Sequence, residues 1–250
     1  MKLFDCNCSY GIPGTEVFKI AYNAKQLLEV MDFCGIDRAL VKHASMRFDS
    51  PIIGNKRVLE EINNENNRLL PTWAILPSQT EEQKEPKSFI NLMKKNNIKA
   101  LWAFPNEHNY LLDSNTFGNL FDILTQCKIP IFVKDNLVNI KQLLSSFPNL
   151  IIVATNQGLH NIDRFLRPLI EKFPNFYIET SCYIGGGVLE SFCRRYGASR
   201  LLFGTAFPEN CKGGSVLQLL RADISDYQKE AIAHKNIERL LKEQNYDCKK

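Results

Sequence analysis

Long apolar runs are missing from this 250-residue sequence. The longest span about eight residues against the roughly 20 that a membrane-crossing helix needs, which excludes a bilayer-spanning segment. The opening residues Met1-Lys2-Leu3-Phe4-Asp5 carry no apolar secretion signal, so a cytoplasmic protein with no membrane partner is expected. Basic blocks are missing too. The 31 Lys and Arg against 27 Asp and Glu leave a formal charge of +4, with no cluster larger than pairs such as Lys94-Lys95 and Arg194-Arg195. A nucleic-acid partner is therefore not expected. The eight cysteines, in a chain of this size without an export signal, are expected to be thiols, and with no C-x-x-C pair and the wrong spacing at Cys6-Asn7-Cys8 no structural zinc site is expected. Gly11-Ile12-Pro13-Gly14 is not the G-x-G-x-x-G of a dinucleotide fold, and there is no internal repeat, low-complexity tract or interdomain linker.

What is present is an ordinary globular composition, 44% hydrophobic and 23% charged, arranged as short β-rich runs alternating with amphipathic stretches. The runs are Leu3 to Cys8, Ala39 to Lys42, Leu69 to Ile75, Lys99 to Phe104, Ile129 to Val133, Leu150 to Ala154, Asn175 to Glu179 and Arg200 to Gly204. Leu27, Leu28, Val30 and Met31, and Leu120, Ile123 and Leu124, mark helices between them. Gly35 and Gly197 read as helix stops, and Ser225 to Gln228 as a capping box. The runs are nearly all apolar, as strands covered on both faces must be. The fold class is α/β, a single (β/α)8 TIM barrel over residues 1–242 with a frayed tail at 243–250.

In such a barrel, function sits at the C-terminal ends of the strands. The phrases there are Leu3-Phe4-Asp5-Cys6-Asn7-Cys8-Ser9, Pro130-Ile131-Phe132-Val133-Lys134, Val153-Ala154-Thr155-Asn156 and Arg200-Leu201-Leu202-Phe203-Gly204-Thr205-Ala206-Phe207-Pro208. With Asn236-Ile237-Glu238-Arg239-Leu240-Leu241, their order resembles the amidohydrolase-related barrels, decarboxylases and hydrolases of small carboxylic acids. That family holds a divalent ion with D-x-H-x-H on strand one, a His ending each of strands five and six, and an Asp after F-G-[ST] on strand eight. Here Asp5 remains, while Asn7, Ser9, Lys134, Asn156 and Ala206 stand at the other positions. Amide and hydroxyl groups bind such ions weakly, so no metal site and no cofactor are expected.

The resemblance implies a hydrolase or lyase acting on a small carboxylated molecule without the usual metal mechanism. The alternative is a non-catalytic ligand-binding or regulatory barrel. A third reading keeps a metal on Asp5, His43 and Glu179. Candidate catalytic residues are Lys134, His43 and Asp5. Lys134 either replaces the lost metal charge by pairing with Asp5 or Asp135, binds a substrate carboxylate, or forms a Schiff base. Asn7, Ser9, Arg47, Asn156, Glu179 and Glu209 are the candidate substrate-binding residues, with Arg47 able to grip a carboxylate bidentately. Alternation turns Cys6 and Cys8 away from the pocket. Glu107 and His108 lie in a turn-rich stretch suited to the surface. The partner is an anionic small molecule, and Tyr110, Leu111 and Leu112 would suit a homodimer interface.

Overall fold

Polar and apolar side chains alternate through Phe4-Asp5-Cys6-Asn7-Cys8-Ser9-Tyr10, which gives the first strand, β1 (Phe4–Tyr10), two chemically different faces. The computed structural model describes residues 1–62, 67–158 and 162–246. The remaining strands are β2 (Arg38–His43), β3 (Leu69–Pro71), β4 (Trp73–Ala74), β5 (Leu101–Ala103), β6 (Ile131–Val133), β7 (Ile152–Ala154), β8 (Phe176–Glu179) and β9 (Leu201–Leu202). All pairings are parallel, in the orders β1-β2-β3 and β4-β5-β6-β7-β8-β9.

β3 and β4 are two halves of one path, parted only by Thr72. Pro71 has no N–H to give the ladder, and the N–H and hydroxyl of Thr72 both donate to Val41 O, at 3.0 and 2.8 Å. The nine short strands thus fill the eight positions expected of a barrel. Helices Ala24–Cys34, Pro51–Glu61, Pro86–Lys95, Ser114–Cys127, Leu137–Ser146, Asp163–Lys172, Val188–Tyr196 and Lys212–Arg221 follow the successive positions. Asn23 and Asp113 cap two of them, and Gly35 closes the first at φ 68°, a left-handed value that costs glycine little. The capping box at Ser225 is present, and the helix it opens passes through a π-helical turn, Ala231–Lys235, into Asn236–Lys242. Asn236 explains its place in the closing motif: its amide donates to Ala198 O and Leu201 O at 2.8 and 2.9 Å, fastening the last helix to β9.

One continuous core fills the structure. Inside it Trp102 stacks between Phe104 and Phe132, with centroids 5.7 and 4.9 Å away. Among the described residues no helix is long and apolar enough to cross a membrane.

Two expectations are corrected. Cys127 is disulfide-bonded rather than a thiol, while Cys6, Cys8, Cys34, Cys182, Cys193 and Cys211 are free. The tail expected to fray is anchored in its described part, because Gln244 donates to Lys99 O, Asn245 N–H to Cys127 O, and the Tyr246 hydroxyl to Ile98 O. The rest of that tail lies outside the described residues.

Between β9 and β1 there is no regular ladder, and the seam is spanned by a bridge at Cys8 and Phe207 and by two backbone bonds, Cys6 N–H to Phe203 O and Ser9 N–H to Phe207 O. Asp5 reinforces it. Its carboxylate accepts from the Thr205 N–H (3.0 Å), the Thr205 hydroxyl (2.6 Å), the Asn7 N–H (3.0 Å) and the Lys212 ammonium (3.1 Å). Both charged partners are buried, so removing one strands the other. Asp5→Ala is expected to lower stability by about 3–5 kcal/mol in urea unfolding, and Thr205→Val by about 1 kcal/mol. Equal losses from the two variants would show that Asp5 carries no more than an ordinary hydrogen bond.

Candidate functional site

Inside the seam, alternation along β1 brings Asn7 toward the residues that end β2 and β8. Its amide is the centre of a buried polar group. Asn7 Oδ1 accepts from the Lys42 ammonium at 2.7 Å, and Asn7 Nδ2 donates to Glu179 Oε2 at 2.8 Å and to Asn156 Oδ1 at 3.2 Å. Glu179 also accepts from the Ser181 N–H and hydroxyl and from Asn156 N–H. Gly204 makes room for it, since a Cβ there would lie 2.3 Å from Glu179 Oε1. Burial raises the Glu179 pKa above the ordinary carboxylate value, against the hydrogen bonds from Asn7 and Ser181.

Lys42 is the least compensated charge. It makes no ion pair among the described residues, and its Nζ lies 4.0 Å from the centroid of the Trp102 ring. Burial brings its pKa down from 10.5 to about 8. The Trp102 N–H beneath it has no hydrogen-bond partner among the described residues.

Four charged side chains lie over this group. Arg47 pairs with Glu107 through Nε at 2.6 Å and with Glu209 through Nη1. Lys134 reaches Glu107 at 3.7 Å and Glu209 at 3.9 Å, and Asn156 Nδ2 donates to Glu209 Oε2 at 3.3 Å. Burial lowers the Lys134 pKa, and Glu209 opposes that shift. Glu209 and Lys212 also border an apolar cleft of about 350 Å³ lined by Phe18, Phe33 and Phe207.

Of the residues singled out in the sequence, Asn7, Asn156, Glu179, Glu209, Arg47 and Lys134 are brought together. Asp5 is adjacent but committed to the seam, and the Ser9 hydroxyl donates to Phe207 O at 3.3 Å. Lys134 pairs with neither Asp5 nor Asp135 among the described residues; Asp135 accepts instead from Asn136 and Asn139. His43 stands apart. Its Nδ1 accepts from Ser45 N–H at 3.1 Å, its Nε2 lies 3.8 Å from Glu61, and its ring meets Tyr10 edge-on. The reason is strand parity: if Lys42 faces the barrel interior, the next residue must face out. Among the described residues the contacts of His43 are with Ser45, Glu61 and Tyr10, not with Asp5 or Glu179.

Lys42, Trp102 and Lys212 were not singled out, and Glu107, placed in a stretch suited to the surface, instead pairs with Arg47. Lys42 had a signal, a lone charge ending the apolar Ala39-Leu40-Val41. The pairings of Glu107 and Lys212 had none, because their partners lie far along the chain.

The profile of the family described as Amidohydrolase matches residues 54–242. No curated protein matches the chain. Among solved structures, an uncharacterized TIM-barrel protein from Bordetella bronchiseptica is 17% identical over 97% of this chain and 99% of its own, with a TM-score of 0.74. The 2,6-dihydroxybenzoate decarboxylase from Rhizobium is 14% identical over 96% and 98%, with a TM-score of 0.72. A dihydroxybenzoic acid decarboxylase from Polaromonas sp. JS666, holding manganese and the inhibitor 2-nitroresorcinol, is 13% identical over 96% and 97%, with a TM-score of 0.73.

The Polaromonas structure corrects the expectation of no cofactor, because a protein of this architecture carries a metal. The donors of this chain fit such an ion poorly. Asp5 already accepts from Thr205, Asn7 and Lys212, and the ammonium of Lys42 is on the Asn7 oxygen. Among the described residues no group of three or more His, Cys, Asp and Glu side chains is arranged to hold an ion.

The depressed Lys42 pKa has a consequence for stability. Below pH 8 the amine is charged in both folded and unfolded chains, and burying that charge costs about 3 kcal/mol. As pH rises from about 8 toward 10.5, the folded chain releases this proton before the unfolded chain does, so the penalty fades. Lys42→Met is expected to be about 1–2 kcal/mol more stable than wild type in urea unfolding at pH 7, the orphaned Asn7 oxygen offsetting part of the gain. The difference should shrink between pH 8 and 10. A variant destabilised at every pH would mean that the buried charge is compensated.

Proposed function

This chain belongs to the amidohydrolase family, and from that premise we propose that it is a lyase or hydrolase of a small carboxylated molecule. The observation that carries the reading is the convergence of Lys42 and Glu179 on one amide, Asn7, beneath Arg47 and Lys134. A cation and a carboxylate whose pKa values are pushed toward neutrality by burial are the tools of proton transfer.

The rim supplies recognition. Arg47 and Lys134 share two carboxylates, so a substrate carboxylate that takes the place of Glu209 leaves the local charge unchanged. The hydrocarbon part of the molecule would lie in the apolar cleft that Glu209 borders. Inside, Lys42 stabilises negative charge developing on the substrate, and Glu179 gives or takes a proton at Oε2. The decarboxylase relatives, one of them solved with 2,6-dihydroxybenzoate, support a carboxylated aromatic as the first compound to try.

Ligand binding without turnover is the second reading. It is favoured by the pairing of Arg47 and Lys134 with Glu107 and Glu209, which makes a rim complete without substrate.

The test is a panel of aromatic and aliphatic carboxylic acids, beginning with 2,6-dihydroxybenzoate, followed by thermal shift and by carbon dioxide release. Carboxylates are expected to raise the Tm where the matching primary amides do not. Arg47→Ala should weaken binding by about ten-fold or more, equivalent to ~1.4 kcal/mol, while Arg47→Lys should restore part of it. Undiminished binding by Arg47→Ala would remove the carboxylate from the reading. Binding without release of any product across the panel would favour the second one.

A further inference from the structure

Three lysines reach this end of the barrel, and they differ in what holds them. Lys212 is buried against the Asp5 carboxylate, and Lys134 lies between Glu107 and Glu209. Lys42 has no carboxylate partner among the described residues and meets a neutral amide oxygen at 2.7 Å and the face of Trp102. A carboxylate beside an ammonium opposes the effect of burial, at Lys134 in part and at Lys212 to the point of raising the pKa, whereas an amide oxygen supplies no opposite charge. Of the three, Lys42 is therefore the one whose nitrogen lone pair is freed most readily. Burial favours that form and lowers its pKa to about 8, against the Trp102 ring 4.0 Å from Nζ, which favours the ammonium.

Resting on the carboxylate reading above, we infer that Lys42 forms a Schiff base with the carbonyl of a small 3-oxo acid whose carboxylate is received by Arg47 and Lys134. The free amine adds to the carbonyl carbon, forming the C–N bond while a proton passes from nitrogen to oxygen, which yields a carbinolamine. Protonated Glu179 then gives its proton to the carbinolamine hydroxyl. Water leaves, the nitrogen lone pair forms C=N, and the product is an iminium beside the Glu179 carboxylate. The bond to the carboxylate carbon breaks next. Its electron pair forms the C–C double bond, the C=N pair returns to nitrogen, and carbon dioxide departs. A solvent proton, taken up through Glu179, is transferred to the enamine carbon, and water adds to the iminium so that ketone and free amine are released. The sum consumes one 3-oxo acid and one proton and yields one ketone and one carbon dioxide, with the water lost in forming the iminium regained in its hydrolysis.

The arrangement matches these demands. Glu179 and Lys42 meet on the same amide from its two ends, so acid and amine stand on either side of Asn7. The Trp102 N–H, on the ring beneath the amine, has no hydrogen-bond partner among the described residues and would be satisfied by a substrate oxygen.

The experiment is reductive trapping. The full-length protein is incubated with acetoacetate and sodium borohydride, and the adduct is located by intact mass and peptide mapping, with acetoacetate binding followed in parallel by thermal shift. The inference requires a covalent adduct on Lys42 that is lost in Lys42→Arg and Lys42→Met, with trapping that increases as pH is raised through 8. Thermal unfolding of both variants verifies that they remain folded. Acetoacetate that binds in an Arg47-dependent way yet leaves Lys42 unlabelled would overturn the covalent step and leave the carboxylate reading standing. An unlabelled Lys42 with no Arg47-dependent binding would overturn the covalent step and count against that reading as well. Label confined to exposed lysines has the same meaning for Lys42 as no label.

Discussion

The Asp5 carboxylate is the constraint on which the rest of this end of the barrel depends. β9 holds only two residues in regular strand and makes no ladder with β1, so the circle is completed by two backbone bonds and by the donors that converge on Asp5. Those donors come from β1 itself, from Thr205 in the turn after β9, and from Lys212 at the start of the next helix. One side chain thereby fixes the position of the Thr205 to Lys212 segment relative to β1. Asn7 is two residues along the same strand and Glu209 lies within the segment, so the inner and outer layers of the site are placed by the same clamp.

Charge is balanced in two layers. The inner one contains Asp5 and Lys212, paired at 3.1 Å, with Glu179 and Lys42 on opposite ends of the Asn7 amide. The outer one contains Arg47 and Lys134 against Glu107 and Glu209. Each has two positive and two negative groups. The layers differ in how directly the charges meet: every member of the outer layer touches an opposite charge, whereas Lys42 and Glu179 communicate through an amide. A buried charge without a direct counter-ion is expensive, and such expense is characteristic of groups kept for chemistry rather than for stability.

Much of this was legible in the sequence. The order of strands and helices follows from hydrophobic periodicity, and the two faces of β1 follow from alternation, which separates Asp5, Asn7 and Ser9 from Cys6 and Cys8. Parity explains why His43 stands apart from the other candidates. His43 is the more reactive type of residue, but the interior position at the end of β2 belongs to Lys42, and a shift of one residue along a strand exchanges the two faces. The pairing of β1 with β2 contains such an irregularity between Asp5 and Cys8, so parity cannot be carried from one strand to the next by counting. Lys212 and Glu107 were hidden for another reason. Each acquires its role from a partner brought near by closure of the barrel, 207 residues away in the case of Lys212 and Asp5, and no local pattern records that. The disulfide at Cys127 was missed because the lack of an export signal reads as a reducing surrounding for every cysteine.

The amides of Asn7 and Asn156 bear on what the pocket can discriminate. An amide presents a donor and an acceptor at once, and Asn7 uses both, holding an ammonium on oxygen and a carboxylate on nitrogen. Neither neighbour can move to a ligand without leaving half of Asn7 unsatisfied, which costs on the order of 1–3 kcal/mol for a buried group. A ligand must therefore supply an acceptor to Lys42, or a donor to Glu179, as it enters. At the rim it must also bring a negative charge if it displaces Glu209 from Arg47 and Lys134. A molecule with an oxygen acceptor and a carboxylate meets both conditions, and a neutral apolar molecule meets neither. The proposed preference for a polar anion thus follows from the hydrogen-bond requirements of Asn7 before any catalytic role is assigned to Lys42 or Glu179.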